Sequence, residues 1–121
     1  MNALEVIREK WLTERPRYEI LVTAATRILE VTLREKSINI VAVSGRVKEL
    51  PSLLKKVLRN AGTDDPYGSM TDKAGVRAVV LFERDIEMAN EAIRGAFVVL
   101  KRDDKRELLG RDRLGYASVH F

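Results

Sequence analysis

Ile38-Asn39-Ile40-Val41-Ala42-Val43, continued by Ser44-Gly45-Arg46-Val47-Lys48-Glu49-Leu50-Pro51-Ser52-Leu53-Leu54-Lys55-Lys56-Val57-Leu58-Arg59, changes periodicity partway along. Its first part is short and rich in β-branched residues, which predicts a strand over Ile38–Val43. That strand delivers the chain to Ser44-Gly45-Arg46. Pro51 suits the first turn of a helix, Leu53, Leu54, Val57 and Leu58 give it a buried side, and Gly62 is placed to cap its far end. Ser52, Lys56 and Arg59 follow at i, i+4 and i+7, so they share a helix face apart from the main apolar stripe.

Charge is concentrated in the same place. Residues 46–59 hold five basic residues and one acid, a surplus of four, and the whole chain's surplus is also four, 22 basic against 18 acidic. Everything outside the segment is balanced. Clustered Lys and Arg with a Ser at a helix start suit a polyphosphate, whose charge calls for fixed cations and hydrogen-bond donors. From charge alone, a solvated basic helix face is the preferred reading.

Upstream, Leu4, Ile7, Trp11 and Leu12 recur at helical spacing until Pro16, which predicts a short helix and a turn. A longer helix is expected from Tyr18 to about Arg34, with Leu21, Ala25, Ile28, Leu29 and Thr32 on its apolar face. Downstream, Thr63 to Met70 is a loop by composition and ends just before Asp72. Val76–Phe82 reads as a second strand with Arg77 near its start. Asp85 is expected to cap a third helix, with Ile86, Ala89 and Ile93 inward and Gly95 closing it, and Phe97–Leu100 to form a third strand.

Lys101 to Arg113 carries six basic and four acidic residues and reads as a mobile loop. Tyr116–Phe121 alternates as a further strand. A chain ending there reads as truncated. The 121 residues, 45% hydrophobic, predict one domain, with N-terminal helices over 1–37 and a core over 38–121. The expected fold class is α+β, a mixed sheet flanked by helices.

Composition narrows the chemistry. Without cysteine there is no disulfide, thiol nucleophile or thiolate metal site, and the single histidine, His120, excludes a multi-histidine zinc centre. Any metal has to be held by oxygen. The N-terminal stretch carries Glu5, Arg8, Glu9 and Lys10 where a signal peptide needs an apolar run, and no apolar run approaches membrane-spanning length. A cytosolic protein with no membrane partner is expected. The formal charge of +4 does not by itself choose between RNA, a membrane surface and a nucleotide.

Four pieces in order carry a resemblance: Gly45-Arg46-Val47-Lys48 with Ser52 and Lys56; Asp72-Lys73-Ala74-Gly75-Val76-Arg77; the charged loop; and Gly115-Tyr116-Ala117-Ser118-Val119-His120. Together they resemble the synthetase domain of the RelA/SpoT family, the enzymes that make the alarmone (p)ppGpp, in particular its small, synthetase-only members. The resemblance covers the chain from about residue 38 onward and implies a nucleotidyltransferase-like fold. It implies a GTP diphosphokinase of the stringent response, which moves the β,γ-pyrophosphate of ATP to the ribose 3′-hydroxyl of GDP or GTP with Mg²⁺.

On this resemblance Asp72 is the catalytic, metal-binding aspartate. Arg46 and Arg77 match the arginines that flank the adenine of ATP, where planar guanidinium groups stack. Lys48, Ser52 and Lys56 match the phosphate contacts, and Arg59 shares their face and assists. Tyr116 matches the residue that stacks on the acceptor guanine, His120 contacts the acceptor nucleotide, and Lys105, Arg111 and Arg113 are offered for the acceptor phosphates.

There are departures. Glu49 stands beside the phosphate-binding Lys48, where a carboxylate opposes ATP unless it faces away. Leu114 and Asp112 replace the polar or basic residues usual before the Gly-Tyr pair. The family's later Glu-x-Gln-Ile-Arg-Thr segment, which supplies a second metal ligand and activates the 3′-hydroxyl, has no counterpart in the 121 residues, so weak or no synthesis is expected of this form. Two other readings stay open: a non-catalytic nucleotide- or RNA-binding module, with RNA the less favoured ligand, and a pyrophosphotransferase acting on adenosine nucleotides or a tRNA end. Homo-oligomerisation is also open.

Overall fold

A computed structural model describes residues 2–99 and the backbone of 103–104 and 119–120. The elements are helix α1 (Ala3–Glu35), strand β1 (Ile40–Val47), helix α2 (Leu50–Arg59), strand β2 (Ala74–Val80), helix α3 (Asp85–Ala96), and two short strands, β3 (Asp103–Asp104) and β4 (Val119–His120). This is an α+β chain with β1 antiparallel to β2 and β3 antiparallel to β4.

Where two helices were expected there is one of 33 residues, with Pro16 inside it. At 1.5 Å per residue it runs about 50 Å. A proline in a helix interior costs about 3 kcal/mol in isolation, but contacts on either side of Pro16 oppose a break. Trp11 is fully buried and its ring lies 5.3 Å from that of Tyr18, and Arg15 pairs with Glu19 at 2.6 Å. The inward stripe continues past Pro16, with Trp11, Val22, Leu29 and Leu33 buried and Leu4, Ile7, Tyr18 and Ala25 half-buried along it. Leu21 and Ile28, expected inward, face solvent instead.

Asn2 caps the start of α1 by accepting from the Glu5 amide at 2.9 Å. At its end Ser37 takes φ 57°, its amide donates to Arg34 O at 3.0 Å, and the Ile38 amide donates to Leu33 O at 3.3 Å. These two bonds form a Schellman motif, completed by burial of Ile38 beside Leu33 in one core cluster. Ile38 therefore closes the helix, and β1 begins at Ile40 rather than at Ile38. The strand also runs further than expected and takes in Ser44-Gly45-Arg46-Val47.

Gly45 is what lets β1 lie against α1. A Cβ there would overlap the Val22 side chain and come within 2.7 Å of Thr26 Oγ1. Val43, Val76, Ala78 and Val80 cover the same side of the sheet and pack with Leu29, Leu33, Ala89 and Ala92. A second cluster, Trp11, Leu53, Val57, Tyr67 and Met70, joins the first half of α1 to α2 and to the segment after it. That segment, expected as a loop, has neither helix nor strand between Arg59 and Ala74, yet Tyr67 and Met70 are buried core residues.

Other expectations shift by a few residues. Pro51 does lie in the first turn of α2, but Asn60, not Gly62, caps its end, with Nδ2 donating to Lys56 O at 3.0 Å. β2 begins at Ala74 and ends at Val80, earlier at both ends than predicted. Arg84, not Asp85, is the N-cap of α3, and Asp85 sits in its first turn. Ala89, Asn90 and Ala92 are the buried positions of α3, with Ile86 and Ile93 half-buried. Gly95 lies inside the last turn, and Phe97 N–H closes the helix on Ile93 O at 2.9 Å.

Phe97–Val99 is not a strand: Phe97 packs on the core while Val98 is 90% exposed, and no described strand lies alongside to pair with them. Asp103–Asp104, expected in a mobile loop, form β3; the rest of 101–113 lies outside the described residues. Val119–His120 is strand as expected, and the remainder of 116–121 lies outside them.

Candidate functional site: a lysine pair closed on Asp72

Lys48 follows the last residue of β1, and its amide donates to Lys73 O at 2.8 Å, extending the β1–β2 ladder by one rung. That rung holds the end of β1 beside the Asp72-Lys73 dipeptide. Lys56 projects from α2, whose Leu53 and Val57 are anchored in the core. The two ammonium groups meet on one carboxylate: Lys48 Nζ is 3.0 Å and Lys56 Nζ 2.7 Å from Asp72 Oδ2. Burial alone would raise the Asp72 carboxyl. Hydrogen bonds from Lys56 and Lys48, with their charges, outweigh it and hold the pKa at about 2.

The dipeptide is also gripped from behind. Lys73 is 92% buried, since only 8% of its surface is exposed, and its ammonium lies 4.0 Å from the centre of the Tyr67 ring. A desolvated cation on an aromatic face is worth about 2 kcal/mol. The Tyr67 hydroxyl donates to Glu14 on α1, and Lys10 approaches the same ring at 5.1 Å. Burial and then the Glu14 carboxylate push the Tyr67 phenol well above its ordinary range. Sequence reading missed this contribution of Tyr67, Lys73 and Glu14. The one signal for it was an aromatic residue in an otherwise polar Asp/Pro/Gly loop.

Arg46 and Arg77 lie on the sheet face turned away from α1. Arg46 is opposite Gly75, and Ser44 is opposite Arg77. Opposed residues share a face and alternate residues along a strand return to it. Ser44, Arg46, Gly75 and Arg77 therefore form a square with the arginines on one diagonal and two small residues on the other. All four are exposed.

The other expected residues separate. Ser52 and Arg59 are exposed on α2, and neither bonds to the Lys48–Asp72–Lys56 group among the described residues. Glu49 pairs with Arg15 of α1 at 3.1 Å, which offsets its charge beside the lysines. Lys105, Arg111, Arg113 and Tyr116 lie outside the described residues; His120 contributes backbone to β4, opposite Asp103.

Among the described residues no three potential Asp, Glu, His or Cys ligands lie together. Both lysine contacts are made at Asp72 Oδ2, so a cation would approach the carboxylate at its other oxygen. One carboxylate beside two lysines fits Mg²⁺ arriving with phosphates, because Mg²⁺ keeps waters and takes few protein ligands. No described helix is long and apolar enough to cross a membrane. Comparisons with protein families, with curated proteins and with solved structures find no match to the chain.

Proposed function

We propose that the chain is a (p)ppGpp synthetase of the RelA/SpoT kind, a cytosolic GTP diphosphokinase with a nucleotidyltransferase-like core, and that the described residues form its ATP side. One observation carries the reading: Lys48 and Lys56 converge beside Asp72 at the end of the same strand pair that carries the exposed Arg46 and Arg77 on one face. Diagonal cross-strand neighbours stand about 7–8 Å apart. That spacing admits one planar ring between two guanidinium groups, and Ser44 and Gly75 leave room for it.

In this reading adenine lies between Arg46 and Arg77, and the phosphates reach the lysines. Mg²⁺, held by Asp72, would neutralise charge on the transferred group. Lys48 and Lys56 hold the β- and γ-phosphates so that the acceptor 3′-oxygen meets the β-phosphorus in line. The bond from that phosphorus to the α,β-bridging oxygen breaks, AMP leaves, and the proton of the 3′-hydroxyl is released to water. Tyr116, His120, Lys105, Arg111 and Arg113 are assigned to GDP or GTP on the resemblance alone.

The test is to incubate the purified chain with γ-labelled ATP and Mg²⁺ and, separately, GDP, GTP, adenosine nucleotides and tRNA, then resolve the labelled products. A labelled guanosine product that is lost in Asp72→Ala supports the proposal. Transfer to none of the acceptors, together with no Mg²⁺-dependent ATP binding, overturns it.

A further inference from the structure

We propose that Asp72 makes this site selective for a metal-chelated polyphosphate and closes it to the metal-free anion, an inference that rests on the ATP reading above. Lys48 and Lys56 both contact Oδ2, so one anionic oxygen occupies the point where two ammonium groups converge. With the lysines in this arrangement, a ligand oxygen held by both takes that point. Asp72 is thus an internal occupant of the phosphate position.

Its freedom to leave is limited. The Lys48–Lys73 backbone bond at 2.8 Å and the seating of Lys73 on Tyr67 fix the chain at the next residue, so the carboxylate yields by side-chain rotation and stays within the site. The lysine side chains are 15% and 31% exposed and that of Asp72 is 45% exposed. The lysines are partly shielded from water, while solvent reaches Asp72 and screens part of the cost of leaving a charge there without a partner.

Two kinds of ligand therefore meet different costs. A metal-free polyphosphate displaces the carboxylate from both lysines and leaves it ionised beside the incoming phosphates, where like charges repel. A polyphosphate carrying a divalent cation supplies oxygens to the lysines and a cation to the carboxylate, so each broken pair is replaced. Discrimination then comes from the unpaired charge that the wrong ligand creates as well as from contacts to the right one. Asp72 opposes one ligand and favours the other with the same group.

The experiment is calorimetric titration of the full chain with inorganic tripolyphosphate and with ATP, each in EDTA and in Mg²⁺, for wild type, Asp72→Asn and Asp64→Asn. Asp64 is exposed in the segment after α2, and its substitution makes the same change in net charge. Wild type is expected to bind tripolyphosphate about tenfold or more tightly with Mg²⁺ than without. Asp72→Asn should raise metal-free affinity by about tenfold and lower affinity in Mg²⁺, while Asp64→Asn changes neither appreciably.

Equal metal-free binding by wild type and Asp72→Asn, an equal gain in Asp64→Asn, or no tripolyphosphate binding by any form overturns the inference. Circular dichroism checks the fold of the variants. Should Asp72→Asn not fold, wild type decides alone, since binding indifferent to Mg²⁺ is incompatible with the inference. ATP held no better than tripolyphosphate would remove the nucleotide reading and leave the selectivity intact.

Discussion

Arg15 on α1 pairs with Glu49 at 3.1 Å and so offsets the charge of the single carboxylate of the basic segment. The Glu49 side chain is 74% exposed, so the pair adds little stability, about 0–1 kcal/mol. Its effect is on the field at the lysines. Arg15→Ala is expected to weaken Mg²⁺-ATP binding several-fold and, by removing the pairs with both Glu19 and Glu49, to lower stability by about 1 kcal/mol at most, and Glu49→Gln in the same chain to restore affinity. Equal affinities in titrations of Arg15→Ala and wild type would show that Glu49 does not act on the site.

Gly45→Ala tests the approach of β1 to α1. Alanine normally suits a strand better than glycine does. Here its methyl group would overlap Val22 and crowd Thr26. A loss of about 1–3 kcal/mol is expected, the usual cost of overpacking. Val22→Ala alone should also destabilise, but the double variant should lose less than the two separate losses together, since the small residue makes room. Strict additivity in denaturant titrations would exclude the contact.

How far the fold was legible depended on whether a rule was local or tertiary. Leu4, Ile7 and Trp11 were correctly read as inward, but Leu12, read with them, is exposed. Breaking the pattern at Pro16 lost its phase, which placed Leu21 and Ile28 inside. Carried through the proline, the same 3–4 spacing reaches Tyr18, Val22, Ala25, Leu29 and Leu33, the stripe that faces inward. β-Branched residues located β1 but not its polar end, because Gly45 and Arg46 belong to the strand through pairing with Val76 and Gly75.

The site was legible in a different way. The meeting of Lys48 with Asp72 joins residues 24 apart and depends on the β1–β2 register, which no local pattern encodes. Only the motif resemblance put both residues into one group. It did not show that the lysines share a carboxylate oxygen, or that Glu49 is paired with Arg15. Both follow from packing of α1 and α2 around the strand ends.

Ser37→Gly should stabilise the protein. Ser37 holds φ 57° at the position of the Schellman motif where glycine is usual. For a residue with a Cβ this conformation costs about 1–2 kcal/mol, part of which glycine returns through the greater freedom of its unfolded chain. A net gain of about 0.5–1 kcal/mol is expected, with a rise of a few degrees in melting temperature. A fall would mean that the serine hydroxyl supports the turn.

The last prediction concerns acid. Asp72 has its pKa lowered from 3.8 to about 2 in the folded protein, where burial is outweighed by hydrogen bonds and charge from Lys56 and Lys48. A folded pKa below the unfolded one means that the group stabilises the fold fully above pH 3.8. This stabilisation is lost as pH falls from there through about 2, where the folded state also takes up the proton. Because the side chain is 45% exposed, solvent screening holds the contribution to about 1 kcal/mol or less. Asp72→Asn removes the charge at every pH. Its stability deficit against wild type should be present at pH 6–7 and shrink toward zero near pH 2, measured by urea denaturation at a series of pH values. A deficit that stays constant across the series would assign it to packing or to the amide itself rather than to the two lysine pairs.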